Sequence, residues 1–176
     1  MMTDSVLDKV LSRVRGQYCW NVEYEPALEW LTMELGAPRL HIIEPHRTNA
    51  KSEYVREMST CRRVVPGGEW WLALSSAYWS IWRDKRKLAT GASALRKIRR
   101  ACSNLSGQKL MEYSIDPKTG ETVLGFDLGG ALKVRRRESN PEKELWFLLE
   151  QSKGLALSVR TDGSYVYEPA DKKPEK

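Results

Sequence analysis

The sequence lacks most of the features that place a chain quickly. No stretch approaches the about 18 consecutive apolar residues of a membrane-spanning helix, so no membrane partner is expected. Asp4, Asp8, Lys9, Arg13 and Arg15 break up the first fifteen residues, leaving no apolar block for a secretory signal. Cysteine is scarce: Cys19, Cys61 and Cys102 are odd in number, far apart and free of any C-x-x-C. A disulfide framework, a zinc cluster and thioredoxin-type chemistry therefore have no motif. The three thiols read as small apolar fillers in a reducing, cytoplasmic protein. Histidine occurs only at His41 and His46, with no H-x-x-x-H pair, no G-x-S-x-G elbow and no phosphate-cradling glycine loop beside it. A nuclease built around Asp127 and His41, or a metal held by Asp127, Asp162 and Glu69, is the enzyme that can be imagined. Yet Asp127 lies just before Gly129-Gly130 and Asp162 precedes Gly163, which suits turn residues capping local N–H groups. No catalytic residue, metal or cofactor is assigned.

What is present is aromatic and basic. Seven Trp and seven Tyr in 176 residues exclude wholesale disorder, and the length suits one domain. Lys plus Arg exceeds Asp plus Glu by 29 to 23, for a net charge of +6, which attracts acidic protein surfaces and nucleic acid alike.

Apolar spacing predicts helices over residues 5–15, 26–35 and 93–105; the last carries a stripe of Leu95, Ile98, Cys102 and Leu105. Residues 38–45 form a short strand candidate, and 46–60 a loop with a helical turn near 53–58. Aromatic and alternating segments predict strands at 69–74, 77–82, 88–90, 109–115, 122–128, 131–137, 145–150, 155–160 and 165–167. Turn signals separate them: Asp116-Pro117, Gly129-Gly130, Ser139-Asn140-Pro141, Lys153-Gly154 and Asp162-Gly163. No internal repeat is evident. Short connections pair strands antiparallel. The expected architecture is α+β: a curved antiparallel meander with a helix packed on one face. It divides into an N-terminal helical cap (1–36), a sheet-plus-helix domain (37–168) and a frayed tail (169–176).

Two clusters are candidates for binding. Trp70, Trp71, Trp79 and Trp82 lie within thirteen residues. Adjacent strand residues point to opposite faces, so Trp70 and Trp71 cannot share one core. A buried aromatic core outweighs a base-stacking platform or a protein hot spot as the reading of this group. The second cluster is basic. Arg83, Lys85, Arg86 and Lys87 precede a helix bearing Arg96, Lys97, Arg99 and Arg100 with no acidic residue to pair them. Side by side, turn and helix make a positive patch of the kind nucleic-acid binders carry; the plainer reading is a solvated helix face. Arg135-Arg136-Arg137 adds a smaller group.

Several segments carry a likeness to known proteins: Gly68-Glu69-Trp70-Trp71-Leu72 with Trp79; Leu105-Ser106-Gly107-Gln108-Lys109-Leu110; Phe126-Asp127-Leu128-Gly129-Gly130; Leu145-Trp146-Phe147-Leu148; and Leu157 through Tyr165. Over about residues 67–168 the chain resembles a family of small bacterial proteins similar to immunity-type proteins that neutralise a toxin. The resemblance implies a shared fold and a non-catalytic, partner-neutralising or phage-defence accessory role, with an acidic protein as the first expected partner. A basic nucleic-acid-binding accessory domain is the alternative.

Overall fold

A computed structural model describes residues 5–75, 77–137 and 143–171. The expected turn at Ser139-Asn140-Pro141 and the tail beyond residue 171 lie outside the described residues.

The chain runs α1 (Val6–Val14), β1 (Cys19–Glu25), β2 (Trp30–Leu35), β3 (Arg39–Ile43), α2 (Glu53–Ser59) and β4 (Arg63–Gly67). It continues with β5 (Trp70–Leu74), β6 (Ala77–Arg83), β7 (Arg86–Thr90) and α3 (Leu95–Leu105). The last strands are β8 (Leu110–Ile115), β9 (Thr122–Phe126), β10 (Gly130–Arg136), β11 (Glu144–Glu150), β12 (Leu155–Arg160) and β13 (Tyr165–Pro169). The fold is α+β and every strand pair is antiparallel. The strands divide among a six-stranded sheet (β1-β2-β5-β11-β12-β13), a five-stranded sheet (β7-β6-β10-β9-β8) and a two-stranded arm (β3-β4).

The two large sheets share one core. Leu35, Leu72, Leu74 and Trp146 of the first meet Leu124, Val134 and Leu110 of the second, and Leu11 and Val14 of α1 join them around a residual void of about 20 Å³. Ile98, Ala101, Cys102 and Leu105 of α3 belong to the same cluster. The expected stripe starts one turn late: Leu95, the first helical residue, is exposed. Cys19 and Cys102 are the expected buried fillers, and burial pushes their thiols up to about 12 and about 11, whereas Cys61 is exposed and fills no core.

Residues 26–35 are not a helix. Leu28, Leu31 and Leu35 have helical spacing, but Leu31, Met33 and Leu35 also alternate with Trp30, Thr32 and Glu34. The period of two prevails because the odd set is almost wholly buried against the core. Pro26 opens a turn in which Glu29 takes φ 55°. Strand β4 falls between the loop expected at 46–60 and the strand expected from 69, where no element was expected.

The chain also repeats itself, against expectation. The Gly16 N–H donates to the Leu110 carbonyl, and the Gly107 N–H to that of Cys19. Leu110 N–H donates to Gln17, and Cys19 N–H to Gln108. Each bond maps onto its counterpart by adding 91 (16 to 107, 17 to 108, 19 to 110), and the bridge Tyr18–Lys109 lies on the axis of exchange. Both helices end with the same backbone, φ −60° and ψ 133° at Arg15 and at Ser106, followed by a glycine at φ 85° or 91°. The pairs Cys19–Leu35 and Tyr24–Leu31 recur as Leu110–Phe126 and Ile115–Thr122.

The correspondence then resumes after an insertion. β5 lies beside β2 as β10 lies beside β9, with Leu72 and Leu74 matching Leu132 and Val134. Only the first half carries the β3-α2-β4 arm in between. Each half next sends a strand into the other's sheet. β6 pairs with β10 and β11 with β5, which makes Trp79 equivalent to Trp146 and Arg83 equivalent to Glu150. The sequence hides this because few residues are shared; Gly16-Gln17 and Gly107-Gln108 are the clearest survivors.

Candidate functional site

The two halves place the same groove in two chemical states. In the first, Arg13 of α1 reaches Glu150 at the end of β11 with two bonds of 2.9 Å, while Tyr167 Oη donates to the same carboxylate at 2.7 Å and Lys153 Nζ lies 2.9 Å away. The Arg13 guanidinium also covers the Trp70 ring at 4.8 Å. Burial opposes ionisation of Glu150, but the donors outweigh it and hold the carboxyl below its usual range. This seam between helix and strand is closed.

In the second half the equivalents are Asn104 of α3, ninety-one positions after Arg13, and Arg83 at the end of β6. The acid has become a cation and the cation an amide. The seam is open as a groove of about 730 Å³, in which Arg83, Arg86 and Lys87 of the β6-β7 hairpin face Lys97 and Arg100 of α3. A tight turn at Asp84 (φ 47°) and Lys85 (φ 67°) presents the hairpin, and the Asp84 N–H donates to the Gly129 carbonyl. Asp84 lies 3.6 Å from Arg83, with both side chains largely in water.

A second concavity of about 690 Å³ opens on the outer face of the five-stranded sheet. Strand alternation sends Trp79 and Ile81 inward and Tyr78, Ser80 and Trp82 outward. The neighbouring β10 sets Arg135 opposite Tyr78 and Lys133 opposite Ser80. Lys133 Nζ sits 4.2 Å from the Trp82 ring centre and Lys87 Nζ 5.3 Å from it; Arg137 lies 5.7 Å from Tyr78. Trp82 Nε1 donates to Ser80 Oγ at 2.8 Å, which fixes the indole plane. Arg137 is paired with Glu29. Lys87 lines both concavities, so one basic surface turns around the edge strand β7.

Of the candidate residues, the structure gathers Arg83, Arg86, Lys87, Lys97 and Arg100 in the groove, while Lys85, Arg96 and Arg99 are exposed outside its lining. Trp70 and Trp79 are buried. Trp71 lies on the other sheet, edge-on to Phe147 at 5.3 Å, far from the basic hairpin in the strand order. Only Trp82 joins the cations. Arg135, from the smaller basic group of the sequence, belongs to the site; Tyr78 and Lys133 also belong to it and were not singled out as binding candidates, and the alternation of β6 and β10 signals them once their pairing is known.

Two of the acidic candidates serve the backbone and the third pairs with a side chain. Asp127 Oδ1 accepts from Lys109 N–H, Asp162 Oδ1 from Ser164 N–H, and Glu69 pairs with Arg39. Among the described residues no group of three or more His, Cys, Asp or Glu is placed to hold a metal. His41 sits at the root of the arm near the buried Glu34, whose carboxylate accepts from Gly68 N–H at 2.8 Å and Gln151 Nε2 at 3.1 Å. No helix of the described residues is long and apolar enough to cross a membrane. Comparison with protein-family models, curated proteins and solved structures found no match.

Proposed function

We propose that the protein is a non-catalytic, nucleic-acid-binding accessory protein, acting through the basic surface that runs from the outer face of β6 and β10 around β7 into the α3 groove. One observation carries this reading: the seam that Arg13 and Glu150 close in one half is, in the other, a groove lined by Arg83, Arg86, Lys87, Lys97 and Arg100. Five cations gathered around the one acid Asp84 raise the energy of the free protein, and a polyanion relieves that cost. Contacts by about four of these side chains would give a log–log salt slope near −3 to −4. A mobility shift with random single- and double-stranded oligonucleotides should show binding at ~50 mM salt that collapses by ~200 mM. Lys97→Glu with Arg100→Glu should abolish the shift while the fold stays intact, since both lie off the buried stripe. No retention at the lower salt would sink the reading.

The second reading is the immunity-type one, in which the protein neutralises an acidic protein partner in the cytoplasm. The arm favours it. Leu40, Ile42, Val64 and Pro66 form one uncharged face of the β3-β4 ribbon, and all four are exposed. An apolar ribbon of this kind suits a protein surface and has no use in gripping phosphate. Substitutions in the arm that destroy neutralisation of a co-expressed toxin, with Lys97→Glu/Arg100→Glu silent, would favour this second reading over the first.

A further inference from the structure

Resting on the nucleic-acid reading, we infer that the ligand is a single strand, with unpaired bases stacked on Tyr78 and Trp82 and its backbone led over Lys87 into the α3 groove. Three features carry this. The first is curvature. The two concavities lie on the sheet face and beside the helix, and they meet only at Lys87 on the edge strand. A flexible linear polyanion can turn around a strand edge; a stiff duplex, or the convex surface of a globular acidic protein, reaches one side at a time.

The second is the presentation of rings. Tyr78 is 60% exposed, and it shares the outer face of β6 with Trp82 four residues on, about 13 Å away at the rise of an extended strand. Aromatic faces held on a sheet accept bases of any sequence, but only bases whose own faces are free of a neighbouring pair.

The third is the state of the cations. Lys87 and Lys133 rest over the Trp82 ring with no carboxylate bonded to either among the described residues. Their four-carbon stems let both ammonium groups swing to phosphates, which uncovers the indole for a base. Arg135, opposite Tyr78, reaches the backbone on the same side.

The test uses a fluorescein-labelled oligothymidylate, the duplex it forms with oligoadenylate, and polyglutamate as an acidic-protein mimic, all with the full chain. The expected result is tighter binding of the single strand than of either other probe, accompanied by quenching of tryptophan fluorescence. Trp82→Leu and Tyr78→Leu should each weaken single-strand binding by about tenfold or more, the usual loss of one stacked base. Trp82→Phe and Tyr78→Phe should retain most of it, which separates stacking from misfolding. Equal affinity for duplex and single strand, or leucine variants that bind normally, would overturn the single-strand inference and leave the nucleic-acid reading standing. Equal binding of polyglutamate and oligothymidylate would reduce the surface to bare charge and also overturn the inference. Binding of no nucleic-acid probe would remove both.

Discussion

The two halves of the molecule share a plan and differ in what they do with it. Each has a helix, a Gly-Gln turn, a strand hairpin, a third strand beside it and a fourth strand lent to the other sheet. In the first half the helix is stitched down. Ser5 caps α1 by accepting from Asp8 N–H, and Arg13 closes on Glu150. In the second, α3 has no side-chain cap, no acid in its first turn and an open groove at its flank. Burial nonetheless coincides at three of the four core positions: Val10, Leu11 and Val14 in one helix match Ala101, Cys102 and Leu105 in the other. The lesson is that the apolar stripe carries the fold, while the polar positions around it are free to become either a seam or a site.

The largest expected effect tests that equivalence in the core. Ile98 is 1% exposed, whereas its counterpart Leu7 is only partly buried. Ile98→Ala should cost about 2–5 kcal/mol in urea unfolding, and Leu7→Ala visibly less. A loss below about 0.5 kcal/mol for Ile98→Ala would mean that α3 does not pack as its twin does.

Next come two buried carboxylates with opposite pH behaviour. Glu150 is held below its usual range, so its contribution is fully present above that range and is lost as pH falls through the lowered value. Glu150→Gln should cost about 1–3 kcal/mol near neutrality, moderated by the part-exposed Arg13, and less in acid. Burial instead raises Glu34, so its contribution is present below the usual range and is lost as pH rises through the raised value. Glu34→Gln should therefore be better tolerated at neutral than at acid pH. Thermal melts of both variants from acid to neutral pH check the signs; parallel curves would refute the contrast.

The smallest effect on stability is the most informative about function. Arg83→Glu with Asn104→Arg transplants the seam of the first half into the second. Stability should change by no more than about 1 kcal/mol, as for partly exposed ion pairs, while polyanion binding is lost. Unchanged binding measured by fluorescence anisotropy would show that the open groove is not what distinguishes the halves.

Much of this was legible before any fold was known. Strands β5 to β13 and helix α3 announced themselves through alternation, turn residues and the stripe containing Ile98 and Leu105, because those signals arise within one element. The turn signals were legible too: at the expected breaks Gly129-Gly130 and Asp162-Gly163, Gly129 and Gly163 take φ of 79° and 80°. Residues 26–35 misled because a short apolar segment fits periods of two and of 3.6 alike, and only the facing sheet decides which side chains go inward. The basic cluster was readable as charge, and its restriction to Arg83, Arg86, Lys87, Lys97 and Arg100 was not.

The sequence by itself determined the element types along most of the chain, the antiparallel pairing of neighbours joined by short turns, and the surplus of cations near Trp82. Those properties depend on backbone propensity and on residues close together in the chain. Tertiary structure alone decided the repeat of the two halves, the exchange of β6 and β11 between sheets, and the meeting of Tyr78 with Arg135 and of Trp82 with Lys133. These are pairings between segments about fifty or more residues apart. They are fixed by the joint burial of two sheets, a collective energy that no single stretch of sequence displays.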